Sequence, residues 1–168
     1  MGIENSSQRQ STGKSALKLI KKRSLKLGEG IKSLHRPQPS TEKIPLYLCR
    51  VEAGFPSPAD DHIEKNINLN QHLVRNPAAT FFVRAAGNSM INAGIYEGDI
   101  LVVDRSLEPH SGKIIIAVLN GELTVKRFHK KGNQITLYPE NSEYAPIPIT
   151  AETDFMVWGI VTSVVHEF

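Results

Sequence analysis

Ser89 and Lys126 are the residues whose types and settings could support nucleophilic chemistry. Ser89 lies in AAGNSMINAGIYEGDILVVD, residues 85–104, where a strand-like run ends at Gly87-Asn88 and the next begins only after Gly94 and Gly98. The serine therefore sits on a tight turn at a strand end, a place where a hydroxyl can be exposed while its backbone is held. A serine hydroxyl is a poor nucleophile and must have a base. Histidine is the usual one, yet nothing around His110 or His129 provides a partnered aspartate beyond chance. Lysine is the alternative, provided desolvation lowers its pKa so that a neutral amine exists near pH 7. Lys126 suits that role because it lies in LTVKRF, an otherwise apolar strand-like run, and period-two alternation sends Arg127 to the opposite face. One of the two belongs in water and the other against protein. The plain alternative is an ordinary turn serine and a lysine on an edge strand, where charge deters aggregation. Spacing alone does not choose between these readings.

Strands have to position both residues. TFFVRAAG (80–87), DILVVD (99–104), KIIIAVL (113–119), ELTVKRFH (122–129), QITLYP (134–139) and FMVWGIVTSVV (155–165) are β-branched or aromatic runs bounded by turn residues. Asn120-Gly121 between two of them is a strong hairpin signal, since both residues tolerate the positive φ of a type I′ turn. KKGN (130–133) marks a second turn. INLNQHL (67–73) and the few residues after Ser89 are the helical candidates of the body. This pattern predicts a mostly β protein, a compact antiparallel domain.

The amino-terminal part differs in kind. At 168 residues, 40% apolar and 22% charged, the chain has the balance of one soluble domain plus a tail. Residues 1–43 carry ten Lys and Arg against three Glu, whereas residues 44–168 carry ten against fourteen acidic residues. The basicity thus belongs to the tail. Residues 1–15 hold almost nothing apolar and are expected to be disordered. Leu17, Ile20, Leu27, Ile31 and Leu34 follow a weak helical spacing that Gly28 and Gly30 interrupt. HRPQPSTEKIP (35–45) reads as an extended linker, which places the boundary near Lys43. A solvated, partly helical basic arm is the simplest description; contact with nucleic acid or an acidic partner is the functional one.

A single cysteine, Cys49, excludes an internal disulfide and suits a reducing cytoplasm. No metal-type Cys/His spacing is present, so neither a metal nor another cofactor is expected. No apolar run approaches the length of a membrane span, and no apolar leader follows Met1. MGIENS fits the loose myristoylation pattern at Gly2, but that pattern is short and common.

Taken together, AGFPSPADD, NLNQHLVRNPAATFFVRAAGNSMINAGIYEGDILVVD, SGKIIIAVLNGELTVKR, LYPENSEYAPI and VWGIVTSVVH, in this order from Pro45 onward, resemble UmuD-type members of the LexA/UmuD family of self-cleaving serine peptidases, the S24 group. The resemblance implies that Ser89 of Gly-x-Ser-Met is the nucleophile, that Lys126 is the general base, and that the scissile bond is Ala53-Gly54. UmuD-type proteins often have Cys-Gly at that bond and LexA-type repressors Ala-Gly, so this chain departs from one relative toward the other. The backbone N–H groups of Asn88 and Ser89 are candidates for an oxyanion hole, since donors held on a tight turn can face developing charge. The implied organisation is a basic tail and linker over 1–43, a cleavable arm over 44–53 and a peptidase-like β domain over 54–168.

For such proteins the resemblance further implies an SOS-response role. Self-cleavage is stimulated by a RecA filament on single-stranded DNA, and the processed homodimer joins a UmuC-type Y-family polymerase in translesion synthesis. The tail inherits nothing, because residues 1–43 do not match the family and the arm is longer than is usual for UmuD. A rival reading is a LexA-like repressor whose basic arm binds DNA and is lost on cleavage, although nothing in the arm resembles a recognition helix. A type I signal peptidase would share the Ser/Lys chemistry but needs a membrane anchor, and a non-enzymatic β module remains the null alternative.

Overall fold

The computed structural model describes residues 31–42, 44–47 and 63–168. Among them are ten strands: β1 (Ile31–His35), β2 (Ile44–Tyr47), β3 (Ile63–Ile67), β4 (Thr80–Ala85), β5 (Ile100–Asp104), β6 (Ile114–Leu119), β7 (Glu122–Lys131), β8 (Gln134–Tyr138), β9 (Ile147–Ile149) and β10 (Phe155–Val165). One short helix, α1 (Leu69–Leu73), and a 3-10 turn at Ile91–Ala93 complete the elements. Every strand run read from the sequence is present, and the fold is mostly β as expected. Asn68 caps α1, its side chain accepting from the Gln71 N–H.

Eight strands form one antiparallel sheet in the order β1-β4-β5-β10-β6-β7-β8-β9, while β2 and β3 pair separately. β6 explains how one sheet builds two cores. Its uninterrupted apolar run alternates so that Ile116 and Val118 enter one cluster with Phe81, Val83, Leu101, Val103, Val125 and Trp158, while Ile115 and Ala117 enter another with Phe128, Leu137 and Ile160. A strand buried on both faces has no polar alternation to display. Curling of the sheet brings Ile31 of β1 and Leu123 of β7 into the same cluster, although they lie far apart in strand order.

The β6–β7 connection is the two-residue hairpin expected, with Asn120 at φ 48° and Gly121 at φ 88°. INLNQHL divides between the end of β3 and α1. β1 departs from the reading of the arm: Ile31 and Leu34, taken as part of a helical pattern, lie in a strand paired with β4. A weak helical spacing broken by glycines cannot compete with an open strand edge and a core site that accepts Ile31, which is only 3% exposed. Residues 44–47, assigned to the cleavable arm, likewise pair with β3. Ala53, Gly54 and Cys49 lie outside the described residues.

Candidate active site

β4 and β5 deliver Ser89. The loop between them is closed at its base by hydrogen bonds from Ala85 N to Asp99 O, 2.8 Å, and from Gly98 N to Ala85 O, 3.1 Å. Gly87, at φ 70°, then turns the chain in a conformation that side chains rarely adopt. Met90 is buried in the first core cluster and anchors the turn on its far side, leaving Ser89 half-buried and Asn88 exposed.

β7 delivers Lys126. Its neighbours on the same face are Thr124 and Phe128, and the side chain is enclosed: Lys126 is 7% exposed. The Nζ lies 2.9 Å from Ser89 Oγ, 3.2 Å from Thr124 Oγ1 and 2.9 Å from the Val125 carbonyl. Arg127 points the other way, where its Nε donates to Glu140 Oε1 at 2.5 Å and its Nη1 to the Gly112 carbonyl at 2.6 Å. The structure thus brings together the serine and lysine selected by residue type, and turns the adjacent arginine away from them. Neither His110 nor His129 is hydrogen-bonded to Ser89; His129 is exposed, its ring packed edge-on to Tyr138.

The connection after β8 holds the serine turn in place, and sequence reasoning missed it. Glu140 N donates to the Ser89 carbonyl at 2.8 Å, and Asn92 N donates back to the Glu140 carbonyl at 2.8 Å. Asn141, 7% exposed, donates through Nδ2 to the Asn88 carbonyl at 3.0 Å and accepts from Glu143 N at 3.0 Å. Tyr144 adds a hydrogen bond from its hydroxyl to the Asn88 side chain. These contacts engage the carbonyls of Asn88 and Ser89. Among the described residues no acceptor meets the N–H groups of the same two residues. The one available signal was Asn-Ser-Glu after a strand, a sequence apt for a side-chain turn onto its own backbone. That signal says nothing about the distant turn it reaches.

A cleft of about 410 Å³ lies elsewhere, between α1, the 105–113 connection and β10, and is lined by His72, Arg75, Glu108, His110 and Lys113 among others. Neither Ser89 nor Lys126 lines it, so the cleft is separate from the Ser89–Lys126 pair. Among the described residues there is no cluster able to hold a metal ion, and no helix is long and apolar enough to cross a membrane.

The Peptidase S24-like family model matches residues 45–162, a span that contains both Ser89 and Lys126. The chain belongs to this family. The S24 protein described here is 43% identical over 130 residues to protein SamA of Salmonella typhimurium, covering 77% of this chain and 90% of that one. It is 42% identical over 147 residues to protein ImpA of Escherichia coli, covering 79% and 92%. A LexA repressor of Shewanella denitrificans is 44% identical over 106 residues, which are 63% of this chain and 51% of the repressor. Family membership bears out the resemblance read from the motifs and places the chain among peptidases.

Proposed function

We propose that this protein is a self-cleaving serine peptidase that cuts its own Ala53-Gly54 bond, with Ser89 as nucleophile and Lys126 as general base. The observation that carries the reading is the 2.9 Å approach of Lys126 Nζ to Ser89 Oγ within a site where the lysine is buried. In the neutral amine, two N–H bonds can donate to Thr124 Oγ1 and the Val125 carbonyl, leaving the lone pair for the Ser89 hydroxyl proton. Ser89 Oγ then bonds to the Ala53 carbonyl carbon as its proton passes to Lys126. The tetrahedral oxyanion is stabilised by the N–H groups of Asn88 and Ser89. Collapse breaks the Ala53-Gly54 bond, Lys126 returns the proton to the Gly54 amine, and water releases the acyl group from Ser89. A substrate on the same chain, or on a partner copy, is presented at high effective concentration.

The physiological setting favoured by the family is cleavage stimulated by a RecA filament on single-stranded DNA. In this reading the processed homodimer acts with a UmuC-type polymerase in the cytoplasm. Binding of the filament shifts a conformational population; it supplies no new chemistry. The LexA match supports a second reading, a repressor inactivated by the same cut.

The test is incubation with RecA, single-stranded DNA and a nucleotide that maintains the filament. It yields a fragment beginning at Gly54, and neither Ser89→Ala nor Lys126→Ala produces it. Cleavage at another bond, or undiminished cleavage in either variant, removes the assignment. Binding of the uncut protein to a specific promoter, lost on cleavage, selects the repressor reading over the polymerase one.

A further inference from the structure

The segment on the amino-terminal side of the proposed cut is built into the body at several independent points. Ile31–His35 pairs antiparallel with β4, Ile31 opposite Ala85 and Leu34 opposite Val83, with a bulge between Ile31 and Ser33. Ile31 is buried in the core cluster that holds Phe81, Met90 and Trp158, and Leu34 packs against the same cluster. Arg36 places its guanidinium 5.2 Å from the centre of the Phe81 ring. Lys32 Nζ meets Glu97 Oε1 at 2.5 Å, and this contact holds the Glu97 carboxyl below the usual carboxylate range.

Two asparagines near α1 fasten the chain that follows. Asn68 is buried and donates through Nδ2 to the Ser40 carbonyl at 2.8 Å while its Oδ1 caps α1; Asn70 donates to the Gln38 carbonyl. Ile44–Tyr47 then pairs with β3 on the carboxyl-terminal side of the connection 48–62. In composition the two parts are complementary, residues 1–43 carrying a surplus of Lys and Arg and residues 44–168 more acidic than basic residues.

We propose that the edge of β4 is a strand-docking site whose ligand is this chain's own segment 31–47, and that cutting the connection 48–62 leaves that segment bound. For self-cleavage this rests on the Ala53-Gly54 assignment above; the docking itself does not. The consequence is that cleavage and release are separate events. The cut converts a tethered strand into a bimolecular ligand, which lowers its effective concentration and makes its retention dependent on dilution. Departure of the strand exposes the backbone edge of β4 and the apolar site of Ile31, a surface that recognises an extended peptide with apolar residues at the positions of Ile31 and Leu34.

The test uses the full chain with Ser89→Ala and with residues 55–61 replaced by the recognition sequence of a site-specific protease. After that protease has acted, the two fragments co-elute on size exclusion and appear as one complex by native mass spectrometry. Ile31→Asp combined with Leu34→Asp abolishes the co-elution. In the uncut double variant the amides of β4 lose protection from hydrogen exchange while those of β6 retain theirs, which shows that the body is folded. Separation of the fragments without the aspartates, or co-elution undiminished by them, overturns the proposal. If the engineered cut leaves a complex while the chain with Ser89 intact never cuts itself, the docking site stands and the peptidase assignment falls.

Discussion

Asn141 donates a hydrogen bond across 53 positions of sequence to the carbonyl of Asn88, the residue immediately before the proposed nucleophile. Its neighbour Glu140 bonds at once to the Ser89 carbonyl through its N–H and to Arg127 through its carboxylate. Lys126 thus reaches Ser89 directly, while the residue after it fixes the connection that holds the serine turn. Both halves of the pair are referred to one frame.

Asn141→Asp isolates that frame. Aspartate retains the oxygen that accepts from Glu143 N but loses the donor to Asn88 and sets a carboxylate against the Asn88 carbonyl. Cleavage is expected to slow by up to about 100-fold, the scale at which small displacements of reacting groups act. The measurement is the self-cleavage rate against pH beside a thermal unfolding curve. A rate equal to that of the parent chain removes the positioning role.

Lys126→Arg preserves the positive charge on a slightly longer side chain but substitutes a guanidinium that does not deprotonate in proteins. The expected loss is at least the contribution of a general base, about 100- to 10,000-fold. Gel densitometry of the fragments reads it directly. Retained activity means that the charge of Lys126, not its basicity, matters.

The rate of self-cleavage rises with pH between about pH 7 and about pH 10, because only the neutral amine can accept the Ser89 proton. The sign follows from the chemistry: a base that is protonated at low pH gains active form as protons are removed. The limiting slope is about tenfold per pH unit, with a plateau once the amine is fully neutral. Rates taken without filament, over a pH series at constant ionic strength, check this. A flat profile excludes a lysine base.

Ile116→Ala is expected to lower stability by about 2 to 5 kcal/mol, the usual cost of such a cavity, because Ile116 is fully buried in the middle of β6. Trp158 lies in the same cluster and provides the fluorescence signal for a denaturant titration.

Much of the architecture was legible because its cause is local. Runs of β-branched residues ended by glycine, asparagine or proline gave the long strands, and Asn120-Gly121 gave the hairpin that precedes Lys126, since the positive φ it needs depends on those two residues alone. The opposite directions of Lys126 and Arg127 followed from the period of a strand. β1 was not legible. Its pattern is too short and too interrupted to carry a signal, and it becomes a strand only because β4 presents an edge and the core a vacancy for Ile31.

The sequence by itself therefore determined the candidate types, a serine on a glycine-led turn and a lysine on an apolar strand, together with the strands that carry them. Only the tertiary structure decided that these groups meet, which depends on β5, β10 and β6 lying in order between the two carriers. It also decided that Glu140 and Asn141 secure the turn and that Ile31–His35 enters the sheet. Each of these relations is a contact between segments far apart in the chain. Its free energy depends on how the whole sheet closes, and no window of residues contains that information.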